Sequence, residues 1–163
     1  ALWDALADGT VDTLGTDHCS FRFDGVKTLG RDDFSKIPNG MPGVEHRPVL
    51  MYTAGVKTGR ISEVQMARLL AENPAKLFGM YPQKGVLAVG SDADLVVWDP
   101  AARWTISAQN QVQNVDYTPY EGMAVQGRAE TVFLGGLPVV EGGKVTREKQ
   151  GQFVPRKPAQ FWR

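Results

Sequence analysis

A short apolar run, Val11-Asp12-Thr13-Leu14, leads directly into Gly15-Thr16-Asp17, and this junction limits what the chain can fold into more than any other feature. Before it, Leu2, Trp3, Leu6 and Ala7 fall at helical spacing, and Gly9 supplies the left-handed residue that commonly closes a helix. A helix feeding a strand that ends in a carboxylate is half of an α/β unit. A parallel strand is buried on both faces, so half a unit needs neighbours from elsewhere in the chain or from another chain. The end of such a strand is also where α/β barrels project catalytic side chains into the barrel mouth. The sequence begins with Ala1, in the middle of the expected helix, and one end of a longer protein is the expectation.

Downstream the chain is first irregular and then helical. Residues 20–43 show no clear period and are crowded with breakers: Gly25, Gly30, Pro38, Gly40, Pro42 and Gly43. Irregular segments longer than about a dozen residues usually carry function, so this one reads as a site-forming loop. Glu45 to Ala54 reads as a helix with Pro48 near its first turn and Gly55 at its end. Ser62-Glu63-Val64-Gln65 is a capping box opening a second helix through Ala71, and Asn73-Pro74 opens a third that stops before Gly79.

After Pro82 the texture becomes β-rich. Val86, Leu87 and Val89, then Leu95-Val96-Val97-Trp98, then Trp104-Thr105-Ile106 predict short strands divided by turns such as Asp99-Pro100. Thr131 to Leu134 and Leu137 to Val140 flank Gly135-Gly136, the strongest hairpin signal, because a Gly-Gly loop permits positive φ at both positions. A second turn at Gly142-Gly143 leads to Val145, and the last residues read as a tail lying against something. A boundary falls near residue 82.

Charge and cysteine content narrow the function classes. Lys plus Arg and Asp plus Glu both number 18, so the formal charge is zero and nucleic acid has no electrostatic footprint to use. No apolar run reaches the ~18 residues of a membrane span, and the single Cys19 has no partner for an internal disulfide. The expectation is a cytoplasmic protein, with small molecules or protein rather than nucleic acid or membrane as partners.

Aspartate at a strand end is most often a turn or cap acceptor, which is the simplest reading of Asp17 from its position alone. His18 and Cys19 suggest a metal, but a closed zinc site takes about four ligands, and two histidines with one cysteine cannot build one unaided. His46, beside an expected helix start, reads as a solvated polar residue. Gly142-Gly143-Lys144 lacks the spacing of a phosphate loop, and no nucleophile elbow occurs.

Four segments stand in order: Gly15-Thr16-Asp17-His18-Cys19, then residues 30–40 reading GRDDFSKIPNG, then Ala75-Lys76-Leu77-Phe78-Gly79, then residues 89–97 reading VGSDADLVV. Together they resemble the C-terminal part of the dihydropyrimidinase and D-hydantoinase family of cyclic amidohydrolases. The resemblance covers nearly the whole chain. It implies an α/β fold, in which residues 1–82 are the last strand and C-terminal helices of an incomplete (β/α)8 barrel. Residues 83–148 would then be the C-terminal part of a small β-sandwich. Residues 149–163 would be a tail making an oligomer contact, where Phe153, Phe161 and Trp162 are aromatics suited to an interface.

The same resemblance implies two zinc ions bridged by a carboxylated lysine in full-length relatives, with metal-hydroxide attack on a dihydropyrimidine or 5-substituted hydantoin ring. Asp17 matches the residue that ligates one metal and shuttles the proton to the leaving nitrogen. Asn39 matches the residue whose backbone holds the cyclic amide or imide. The family's remaining ligands, a His-x-His pair, the lysine and two further histidines, have no counterpart here. The isolated chain is therefore expected to be inactive, to bind no zinc tightly and to self-associate, while the parent is expected to be a homotetramer. An assembly protein resembling the collapsin response mediators is the alternative. Position 17 argues against it, since those relatives lack the aspartate. Allantoin or dihydroorotate would be alternative rings, with Ile37-Pro38-Asn39-Gly40 favouring the pyrimidine and hydantoin branch.

Overall fold

The structure is a computed structural model that describes residues 1–148 and 150–160. Helix α1 (Leu2–Ala7) ends as expected, with Gly9 at φ +81°. Helix α2 (Arg47–Met51) carries a proline in its first turn and runs on as a widened π turn, Tyr52–Val56. The capping box forms: the Ser62 hydroxyl accepts from the Gln65 N–H, and the Gln65 side chain accepts from the Ser62 N–H. Helix α3 (Glu63–Ala67) then continues through a second π turn, Arg68–Glu72, into α4 (Asn73–Leu77). The expected second and third helices are thus one continuous helical run. Pro74 lacks an N–H to donate one turn back, and the widened turn directly before it absorbs that loss.

Four strands, β1 (Leu95–Thr105), β2 (Ala124–Leu134), β3 (Leu137–Glu141) and β4 (Lys144–Val145), form an antiparallel sheet in chain order. The β2–β3 hairpin turns at Gly135 and Gly136, with φ of +57° and +83°, as its sequence requires. Two of the expected strands, around Leu95 and around Trp104, are one. The ladder slips between Asp99 and Arg103, so Pro100 sits where no N–H is needed.

Val49 and Met51, two residues apart on α2, point to opposite sides of the helix. Val49 packs with Ile106 and Val125, on which Leu50, Trp98, Trp104 and Tyr120 lie. Met51 packs with Ile61 and Leu69, on which Trp3, Leu6, Leu14 and Met66 lie. One short helix therefore joins the sheet to the helical layer. Ile106 is fully buried at the junction.

Three expectations are corrected. Val11 to Leu14 is irregular, with a bend at Val11, and pairs with no strand among the described residues. Side chains take its carbonyls instead: Asn73 Nδ2 donates to Asp12 O at 2.7 Å and Arg47 Nη1 to Leu14 O at 3.0 Å. A parallel strand needs adjoining strands, and among the described residues this segment has none to pair with. Val86 to Val89 is likewise a turn region, closed where Lys84 Nζ meets Asp92 at 2.9 Å and Asp94 at 2.5 Å, with Leu87 and Val89 left exposed. His46 is fully buried rather than solvated.

The tail does lie against the chain. The Lys157 N–H donates to Gly79 O at 2.8 Å, the Gln160 N–H to Lys76 O at 3.0 Å, and Arg156 stands 5.6 Å from the centroid of the Phe78 ring. Phe153 is 89% exposed, while Phe161 and Trp162 lie outside the described residues.

Candidate active site

Asp17 occupies the left-handed region, φ +49°, which aspartate and asparagine tolerate better than other side chains. Its carboxylate is exposed and has no hydrogen-bond or ion-pair partner among the described residues. The backbone leading to it is held by the Arg47 and Asn73 side chains.

The loop bearing Asn39 is tied to the same segment. His18 and Met41 form an isolated parallel bridge, in which the Cys19 N–H donates to Met41 O at 3.3 Å. Nδ1 of His18 accepts from the Gly43 N–H at 3.1 Å, which leaves the ring proton of a neutral imidazole on Nε2. Asp17 lies one residue before this bridge and Asn39 two residues before it, so the structure brings the two candidate residues onto adjoining segments. Asn39 is exposed, and neither its N–H nor its C=O takes a hydrogen bond among the described residues. Gly40, at φ +124°, is pressed against Cys19: a Cβ there would overlap the Cys19 carbonyl oxygen and lie 2.7 Å from its Cβ.

More distant residues stiffen the loop. Asp116 accepts from the Phe23 and Asp24 N–H groups at 2.6 and 3.0 Å, and these bonds hold its carboxyl below the usual carboxylate range. Glu45 accepts from the N–H groups of Val112 and Gln113. Both ties cross from the site loop or its flank to residues 112–116, in the connection between β1 and β2. His18, Glu45 and Asp116 are thus structural supports of the site that residue type alone did not reveal. For His18, the signal in hindsight is a histidine next to the candidate carboxylate and 25 residues from the glycine whose N–H it accepts.

Among the described residues no three His, Cys, Asp or Glu side chains come together to hold a metal ion. Asp17 can offer one carboxylate to a centre completed by other ligands.

The sequence profile of the amidohydrolase family matches residues 1–139. The chain belongs to the amidohydrolase family. It is 49% identical to the D-hydantoinase of Ralstonia pickettii over 157 residues, 96% of this chain and 34% of that protein. Among solved structures it resembles D-hydantoinase from Bacillus sp. AR9, with TM-score 0.94 and 46% identity over 97% of this chain and 35% of that one. It also resembles dihydropyrimidinase from Brevibacillus agri NCHU1002, with TM-score 0.87 and 48% identity over 89% of this chain and 32% of that one. The chain spans about a third of the length of the relatives it matches.

Within this amidohydrolase chain the Asp92-Ala93-Asp94 signature has a structural role. Asp94 Oδ1 accepts from the Gly135 N–H at 2.8 Å and Ala93 O from the Gly136 N–H at 2.9 Å, so the motif clasps the hairpin tip to Lys84.

His46 gives the first prediction. Its ring meets Tyr120 edge-on at 5.9 Å, and neither nitrogen has a hydrogen-bond partner among the described residues. Burial lowers its pKa from 6.5, with the Glu45 charge opposing. The unfolded chain therefore binds a proton that the folded chain refuses. Stability should be full above pH 6.5 and fall as pH drops below it, by up to about 1.4 kcal/mol per pH unit from this group. Thermal midpoints from pH 8 to pH 5 check this. His46→Gln should flatten the profile, and a profile unaltered by that substitution would refute the assignment.

Proposed function

We propose that the chain is the C-terminal part of a zinc-dependent hydrolase that opens dihydropyrimidine or 5-substituted hydantoin rings. The observation that carries the reading is the His18–Met41 bridge, which joins the segment bearing the exposed Asp17 to that bearing Asn39, whose backbone takes no hydrogen bond among the described residues. The similarity to proteins named D-hydantoinase and dihydropyrimidinase supports the substrate class.

In this reading Val11 to Leu14, which forms no strand pairing among the described residues, would become the last strand of a (β/α)8 barrel only beside segments of the longer protein. The four-stranded sheet would become part of a β-sandwich, within the boundaries expected from the sequence. Exposed apolar side chains such as Leu2, 79% exposed, and Phe34, 85% exposed, suit a chain that other segments cover. Asn39 binds the ring amide through its backbone. The Asp17 carboxylate takes the proton of the attacking water and returns it to the leaving ring nitrogen. It would also serve as one ligand of a two-zinc centre, with the other ligands supplied by the longer protein. Bound zinc would supply Lewis acidity to the water and the ring carbonyl.

The Ile37-Pro38-Asn39-Gly40 loop favours these rings over allantoin or dihydroorotate. The relatives named above are enzymes, which leaves the assembly-protein reading without a supporting observation. The test is ring opening of dihydrouracil and a 5-substituted hydantoin by the full-length protein. No opening of either ring would refute the reading.

A further inference from the structure

Lys27 has an unusual set of partners for a lysine. Its Nζ lies 2.5 Å from Pro38 O and 2.6 Å from Gly40 O, the carbonyls on either side of Asn39. The ammonium stands 5.6 Å from the centroid of the Phe21 ring, is half-buried, and makes no ion pair among the described residues. Lysine ordinarily spends its charge on a carboxylate or on water, and charge-assisted bonds to two carbonyls are strong and directional.

The base of the side chain is firm as well. Lys27 opens the 3-10 turn Lys27–Gly30, whose start is fixed by N–H bonds from Lys27 to Arg22 O and from Thr28 to Phe23 O. The loop just before it is held by Asp116. The ammonium is therefore a fixed post on which the Pro38–Gly40 segment hangs.

Peptide geometry gives this a direction. The Pro38–Asn39 bond is trans and planar, so with the Pro38 carbonyl turned to Lys27 the Asn39 N–H must point the opposite way. A cation on that carbonyl also polarises the shared amide and makes its N–H a stronger donor.

We infer that Lys27 is a positioning residue for the substrate loop, aiming and strengthening the Asn39 backbone N–H as a donor to the cyclic amide. The inference rests on the function proposed above for Asn39, while the anchoring of the loop can be read without any turnover. Lys27→Met keeps the length of the side chain and removes the donors.

In the full-length protein, Lys27→Met should raise KM for dihydrouracil about tenfold or more, with the loss falling mainly on KM rather than kcat. Amide hydrogen exchange in the peptide covering residues 37–44 should quicken. Lys27→Arg, which keeps a cation with several donors, should restore most of both. Unchanged KM and unchanged exchange in Lys27→Met would overturn the inference. So would equal losses in kcat and KM with no change at residues 37–44. If the wild-type protein opens no ring but Lys27→Met still loosens the loop, the anchor stands and the proposed function fails. Should Lys27→Met not fold, Lys27→Gln is compared with Lys27→Arg, and equal KM and equal exchange in these two would overturn the inference.

Discussion

Asp17→Asn in the full-length protein is expected to lower kcat/KM for ring opening by about 10³-fold or more, because under the proposed function it removes a general base and a metal ligand together. Asparagine is the informative replacement. The backbone at position 17 is left-handed, φ +49°, and asparagine accepts that conformation nearly as well as aspartate. The substitution keeps the size of the side chain and deletes only its charge. Alanine would add a backbone penalty of about 1–2 kcal/mol and confuse loss of chemistry with loss of the turn. Asp17 has no bond to lose among the described residues, so the thermal midpoint of the metal-free protein should hold, while in the metal-loaded protein activity and metal content fall. Activity within a few-fold of wild type would remove Asp17 from the mechanism.

Gly40→Ala should be the most damaging single methyl in the site. Two costs coincide there. The backbone is at φ +124°, a conformation L side chains rarely adopt, and the new Cβ would collide with the Cys19 backbone, lying 3.1 Å from its carbonyl carbon as well as against its oxygen. The only relief is for the Pro38–Gly40 segment to move off the Asp17–Cys19 segment. That would separate Asp17, the proposed proton carrier, from the Asn39 backbone proposed to hold the substrate, and displacements of this size cost about 10²-fold in rate. A stability loss of about 2–3 kcal/mol should accompany it. Gly59→Ala is the control, since Gly59 is also at positive φ, +72°, but faces open space. It should show only the backbone cost, about 1 kcal/mol, with kcat/KM intact. Equal effects at the two positions would mean that the contact with Cys19 does not hold the site together.

Local chemistry was the legible part of the fold. The Ser62–Gln65 capping box, the Gly135-Gly136 turn and the end of the first helix at Gly9 are decided by neighbours in sequence, and each formed as expected. What failed depends on distant partners. Val11 to Leu14 has the composition of a strand, but a strand exists only in a ladder, and among the described residues its carbonyls find the Arg47 and Asn73 side chains instead. The Leu87 and Val89 side chains have no sheet to cover them and remain exposed. His46 looked like a surface residue because histidine at a helix start is ordinarily solvated. It is buried because the connection between β1 and β2 brings Tyr120 over it.

The site divides the same way. Asp17 and Asn39 were singled out through the order of motifs, and their adjacency follows from a bridge across more than twenty residues that no local pattern encodes. Lys27 and Asp116 give no signal in the sequence, because lysine and aspartate in a loop are ordinarily solvated. Only the direction of two carbonyls and two N–H groups reveals what they hold.

In the proposed function this chain contributes Asp17 and the Asn39 loop to a cyclic-amide hydrolase whose site is completed by residues outside it. The most direct test compares ring opening of dihydrouracil by the full-length protein and by this chain alone, each with and without a zinc chelator. The full-length protein should open the ring in a chelator-sensitive way, and the isolated chain should not open it. Chelator-sensitive opening by the isolated chain, or none by the full-length protein on either dihydrouracil or a 5-substituted hydantoin, would contradict this reading.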